Sequence, residues 1–141
     1  MEQVVIYIDG SSAGNPGPAG IGLVITDQNG DIVKEYSQSL GFKTNNEAEY
    51  LGLIFALKKL KLLFGKTKIK KISFEIRSDS ELLVKQMSGQ YKIKEPKIQK
   101  LFLTAWNLKI DFPYLKFVLI PREKNKKADK LSRSIYETYP C

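Results

Sequence analysis

Four acidic residues stand where elements of structure should begin or end: Asp9, Glu49, Asp79 and Asp129. Asp9 closes the apolar run Val4-Val5-Ile6-Tyr7-Ile8 and opens a loop of Gly, Ser, Asn and Pro. Glu49 falls in the first turns of a helix marked by apolar residues at helical spacing. Asp79 directly follows a second apolar run, and Asp129 lies near the start of the last helical pattern. Element ends are where ligand sites gather in open α/β sheets. Four carboxylates brought to one rim would repel, and protonation or divalent cations would relieve that. Hard oxygen donors suit Mg²⁺ or Mn²⁺ rather than zinc. Two such ions, about 3.5–4 Å apart, can clamp a phosphodiester and activate a water. Each acid also has an ordinary role open to it: Asp9 as a turn residue, Asp79 as a helix cap, Glu49 and Asp129 as exposed helix charges. Composition and periodicity alone do not bring the four together.

Composition narrows the chemistry. The 141 residues contain no histidine, which excludes His-ligated zinc, Ser-His-Asp triads and imidazole acid–base catalysis. Lys plus Arg is 23 against 15 Asp plus Glu, a formal charge of +8 that favours polyanionic partners. The lone cysteine, Cys141, forms no intrachain disulfide, so a reducing cytoplasm is the expected setting. No apolar run reaches the roughly 20 residues that span a bilayer, and no secretory signal is expected.

The elements that must carry the acids follow from pattern. Residues 3–9, 21–26 and 31–40 read as an antiparallel meander of three strands. Thr44 and Glu47 fit a capping box ahead of a helix ending near Gly65. A fourth strand spans residues 70–77, and Ser78-Asp79-Ser80 caps a short helix through Met87. A helix from Pro96 carries Ile98, Leu101, Phe102, Ala105 and Leu108 on one stripe, with Trp106 expected in the core. A fifth strand covers residues 113–120, a last helix follows, and the tail from Thr138 to Cys141 is expected to fray. Strand–helix–strand crossovers imply parallel neighbours. The expected product is a single α/β domain: a mixed five-stranded sheet, three strands antiparallel and two parallel, flanked by helices.

At these residues the sequence resembles type 1 ribonuclease H, whose members cut the RNA strand of RNA–DNA hybrids. The resemblance rests on four motifs in order: DGSSAGNPGPAGIG (Asp9–Gly22), TNNEAEYLGLIFAL (Thr44–Leu57), RSDSELLVKQM (Arg77–Met87) and PREKNKKADKLSR (Pro121–Arg133). It implies the ribonuclease H fold and metal ligands at Asp9, Glu49, Asp79 and Asp129. It implies nucleic-acid contacts at Asn15, Asn45 and Asn46, a phosphate contact at Thr44, and further substrate contacts at Ser80 and Arg122. The implied enzyme is a monomeric, Mg²⁺- or Mn²⁺-dependent endonuclease holding two ions and leaving 5′-phosphate and 3′-hydroxyl ends. Cleavage of duplex RNA as well is the runner-up reading, and a catalytically inactive binding module of the same fold is the rival.

The chain departs from the family pattern in three places. The loop before the fourth acid has Arg122, Glu123 and Lys124 where many members carry a histidine. Arg122 can grip a phosphate bidentately but cannot serve as a base. Glu81 stands where a Gln often follows Asp-Ser. The basic, Trp-containing protrusion of some members is replaced by the short stretch SGQYKIKE, Ser88–Glu95, where Lys92, Lys94 and nearby Lys97 are candidate replacements and Tyr91 a candidate sugar contact. The Lys58-Lys59-Lys61 and Lys66-to-Lys71 clusters read as a solvated face.

Overall fold

The computed structural model describes residues 1–137; the tail expected to fray lies outside the described residues. Five strands form one sheet in the order β3-β2-β1-β4-β5. They are β1 (Gln3–Ser12), β2 (Gly17–Thr26), β3 (Ile32–Lys43), β4 (Ser73–Ser78) and β5 (Leu115–Leu119). The first three are antiparallel neighbours; β4 lies parallel to β1, and β5 parallel to β4. The helices are α1 (Asn45–Ile69), α2 (Glu81–Met87), α3 (Pro96–Lys109) and α4 (Lys126–Glu137).

Register places the acids. Tyr7 pairs with Arg77 across β1 and β4; Asp9 lies two residues further along β1, and Asp79 two residues further, just past the end of β4. Strand alternation then assigns faces. Ile6, Ile8, Leu23 and Ile25 join Leu53, Leu57 and Leu60 of α1, and Phe74 and Ile76, in one buried cluster. On the other face Gly20 and Gly22 lie under α4: a Cβ on Gly22 would come within 2.0 Å of the Ala128 carbonyl oxygen. On the α1 side a Cβ on Gly10 would come within 2.1 Å of the Ala48 carbonyl oxygen. Both helices therefore approach the sheet only because these positions lack a side chain.

Several expected boundaries shift. β1 runs on to Ser12 and β2 begins at Gly17, because Ser11 pairs with Gly20 and Ser12 with Ala19. The loop thereby shrinks to residues 13–16. The uninterrupted part of α1 does stop at Gly65, which adopts φ 84°, but helix resumes to Ile69, whose side chain is buried. β4 starts three residues later than expected, and Ser80 alone caps α2, its Oγ accepting from the Leu83 N–H. Trp106 is not core. It is 37% exposed, stacks on Phe102 and lies under the Lys109 ammonium. The reason is angular: Ala105 takes the core-facing position, and one residue further turns the side chain about 100° away.

A candidate metal centre at the strand ends

Asp9, Glu49 and Asp79 each offer a carboxylate oxygen, and the three oxygens lie within 4.8 Å of one another. β1 and β4 supply the aspartates through their register. α1 supplies Glu49, one turn inside a helix start fixed by its capping box: Thr44 Oγ1 accepts from the Glu47 N–H, and Glu47 Oε1 accepts from the Thr44 N–H. Asp129 is not one of the three. It lies in the first turn of α4 with Oδ2 held 2.8 Å from Arg133, yet its charge acts on both Asp9 and Asp79.

Burial and mutual repulsion dominate the electrostatics of the three carboxylates. Burial pushes the Asp9 carboxyl up to about 7; Asp79 and Asp129 add repulsion, while the Ser132 hydroxyl opposes the rise. Burial also lifts Glu49 well above the usual carboxylate range, helped by the charges of Asp9 and Asp79. Asp79 rises for the same primary reason, opposed by Asn125 and Arg122. Glu49 Oε2 is shielded from solvent and has no hydrogen-bond partner. An orphaned buried carboxylate oxygen beside two other carboxylates fits a divalent cation with hard oxygen ligands.

Two supporting residues escaped the sequence reading. Ser132, fully buried on α4, donates from Oγ to Asp9 Oδ2 at 2.5 Å. Asn125, also buried, donates from Nδ2 to the Ile8 carbonyl at 2.8 Å and reaches Asp79 Oδ2 at 3.5 Å. The available signal for Asn125 was its place immediately before a helix, a position Asn favours. Ser132 had none beyond lying three residues after Asp129.

The expected substrate residues divide by what already engages them. Asn15 and Asn45 stitch the β1–β2 loop to α1: Asn15 Oδ1 accepts from the Asn45 N–H, and Asn45 Oδ1 accepts from the Ser12 N–H, each at 3.0 Å. Thr44 and Ser80 cap helices. Asn46 is exposed beside a shallow pocket it shares with Gln86, Lys92 and Lys94. Arg122 is exposed in the 3-10 turn Arg122–Lys124, and its charge lowers the pKa of Glu49 and Asp79. Tyr91 spends its hydroxyl on Glu81 at 3.2 Å.

Sheet order and site together define an α/β domain with a carboxylate rim at the ends of its two central parallel strands. Residues 7–135 match the family model described as reverse transcriptase-like. The chain is 38% identical over 130 residues to ribonuclease HI of Halobacterium salinarum, covering 92% of this chain and 62% of that one. It is 40% identical over 131 residues to a bifunctional protein of Mycobacterium tuberculosis, covering 92% of this chain but only 34% of that protein. The chain thus spans about a third of the length of that relative. A crystal structure of LC11-RNase H1 with an RNA/DNA hybrid matches at 48% identity and TM-score 0.88, covering 93% and 94% of the two chains. RNase H1 from Halobacterium salinarum matches at 35% identity and TM-score 0.88, covering 97% and 99%. The chain belongs to the type 1 ribonuclease H family.

Proposed function

We propose that this chain is an endonuclease that hydrolyses the RNA strand of RNA–DNA hybrids, acting as a cytoplasmic monomer with two Mg²⁺ or Mn²⁺ ions. The observation that carries the reading is the trio Asp9, Glu49 and Asp79 with an orphaned Glu49 oxygen among them. Asp9, Glu49 and Asp79 would hold the ions, with Asp129 joining from α4. When bound, the ions would supply Lewis-acid polarisation of the phosphodiester and a water of lowered pKa. The chain's own groups do the rest. Arg122 faces the carboxylates electrostatically and can take a scissile phosphate oxygen through its guanidinium. A guanidinium has only donors, so Arg122 would orient the phosphate and remove no proton. Thr44 Oγ1 accepts from the Glu47 N–H at the start of α1, where the helix's first N–H groups suit a phosphate. Asn15 and Asn45, both exposed, use their carbonyl oxygens internally, so their amide nitrogens would serve as donors for 2′-hydroxyls and base edges in a shallow minor groove. Choice of RNA for the cut strand rests on such 2′-hydroxyl contacts, and products carry 5′-phosphate and 3′-hydroxyl ends.

The test compares matched hybrid, duplex RNA and duplex DNA, each with Mg²⁺, Mn²⁺ or chelator. Only hybrid with metal should be cut efficiently; cleavage of duplex RNA would widen the substrate class. Asp79→Asn should abolish cleavage while circular dichroism reports an intact fold. A wild-type chain that binds hybrid but never cuts it would assign the protein to inactive binding modules.

A further inference from the structure

Behind Asp9 runs a line of hydroxyls. Ser132 Oγ donates to Asp9 Oδ2 at 2.5 Å. Ser11 Oγ lies 2.9 Å from Ser132 Oγ and 2.7 Å from the Tyr136 hydroxyl. When Asp9 is ionised it only accepts, and the line then has one polarity. Ser132 gives its proton to Asp9 and accepts Ser11's; Ser11 in turn accepts from Tyr136. Hydrogen bonds aligned in series polarise one another, so the last donation, onto Asp9, is strengthened by the two behind it. Ser132 and Tyr136 lie four residues apart on one face of α4, while Ser11 comes from β1. Ser132 Oγ also donates toward the Asp129 carbonyl oxygen at 2.8 Å, so its one proton is shared between Asp9, at the shorter distance, and the turn carrying the fourth acid.

We propose that Ser132, backed by Ser11 and Tyr136, is a positioning residue: it holds one Asp9 oxygen so that the other is presented to divalent ions. The proposal rests on the reading of the carboxylates as an ion site. It differs from a mere pin between strand and helix, because a pin needs the shape of the side chain and positioning needs its proton. Ser132→Cys keeps nearly the same shape with a weak donor, whereas Ser132→Ala removes the donor outright.

The experiment titrates Mg²⁺ and Mn²⁺ into the full chain by calorimetry and measures hybrid cleavage, for wild type, Ser132→Ala, Ser132→Cys and Tyr136→Phe. Both Ser132 variants should bind ions about 10-fold more weakly, with kcat reduced and KM for hybrid unchanged. Tyr136→Phe should shift ion binding in the same direction by a smaller factor. Wild-type ion affinity in folded Ser132→Cys overturns the proposal; should the Ser132 variants not fold, wild-type affinity in Tyr136→Phe does so instead. A wild-type chain that binds no divalent ion overturns the carboxylate reading itself, and the positioning role falls with it.

Discussion

Without ions, Asp9 pulls against the fold that holds it. Its folded pKa of about 7 lies above the ordinary aspartate value of 3.8, because burial and two neighbouring carboxylates disfavour the charge. A raised carboxylate pKa means the folded state binds the proton more tightly than the unfolded state does. The resulting stability is fully present below the unfolded pKa and is lost as pH rises through the folded pKa. The metal-free chain should therefore lose stability through Asp9 as pH climbs from about 4 to 7, with Glu49 and Asp79 acting in the same direction. Asp9→Asn removes this loss. In chelator at pH 8, the variant should exceed wild type by on the order of 1–3 kcal/mol, and the gap should close near pH 4. Adding Mg²⁺ should raise the wild-type melting temperature more than the variant's. Scanning calorimetry at several pH values checks all three, and a wild type more stable than Asp9→Asn at pH 8 in chelator contradicts the argument. The acids were legible in sequence because each sits where a local pattern ends. Their supports were not. Asp9 and Ser132 are 123 residues apart, and Asn125 and Ile8 are 117 apart, so only the folded sheet makes them neighbours.

At the scale of elements, local signals carried most of the fold. The capping box at Thr44 and Glu47 forms as its spacing implies, and it sets the rotation of α1 that aims Glu49. The meander and the parallel pair follow from strand runs separated by a turn or by helices. Pairing length was less legible, since Ser11 and Ser12 look like loop and become strand only because β2 lies alongside. The first motif's glycines make a similar point. Gly22 falls inside the expected strand 21–26, and its role there is contact: it admits the Ala128 carbonyl against β2. Gly22→Ala should push α4 off the sheet, moving Ser132 and Asp129 together. The expected loss is about 1–3 kcal/mol of stability in urea denaturation, with cleavage falling further than the lost folded fraction explains. A variant matching wild type in both measurements would show that α4 can shift without disturbing the site.

For the whole molecule, an acidic centre sits inside a chain of charge +8, and the question is which cations meet substrate. Burial and pairing sort the lysines. Lys61 is committed to Asp111 at 2.7 Å, and Lys59 lies over the Tyr36 and Phe55 rings. Lys66, Lys68 and Lys70 are exposed at the far end of α1 from Glu49. Lys92 and Lys94 are exposed too, but on a segment fixed from behind: Gln86 Nε2 donates to the Lys92 carbonyl at 3.2 Å, and Gln99 Nε2 to the Ile93 carbonyl at 2.8 Å. These two lysines share a pocket with Asn46, one residue inside the start of the helix that bears Glu49. A backbone held in place beside the site suits phosphate contact better than a loose charged face does. Each phosphate contact contributes about 0.9 to the slope of log affinity against log salt. Lys92→Ala/Lys94→Ala should therefore lower that slope by about 2 and raise KM for hybrid with little change in kcat. Lys66→Ala/Lys68→Ala should leave the slope close to that of wild type. Anisotropy of a labelled hybrid across a potassium chloride series, in chelator to prevent cleavage, separates the two pairs. Equal slopes for both would return Lys92 and Lys94 to the solvated surface and leave hybrid grip to Arg122 and the asparagines alone.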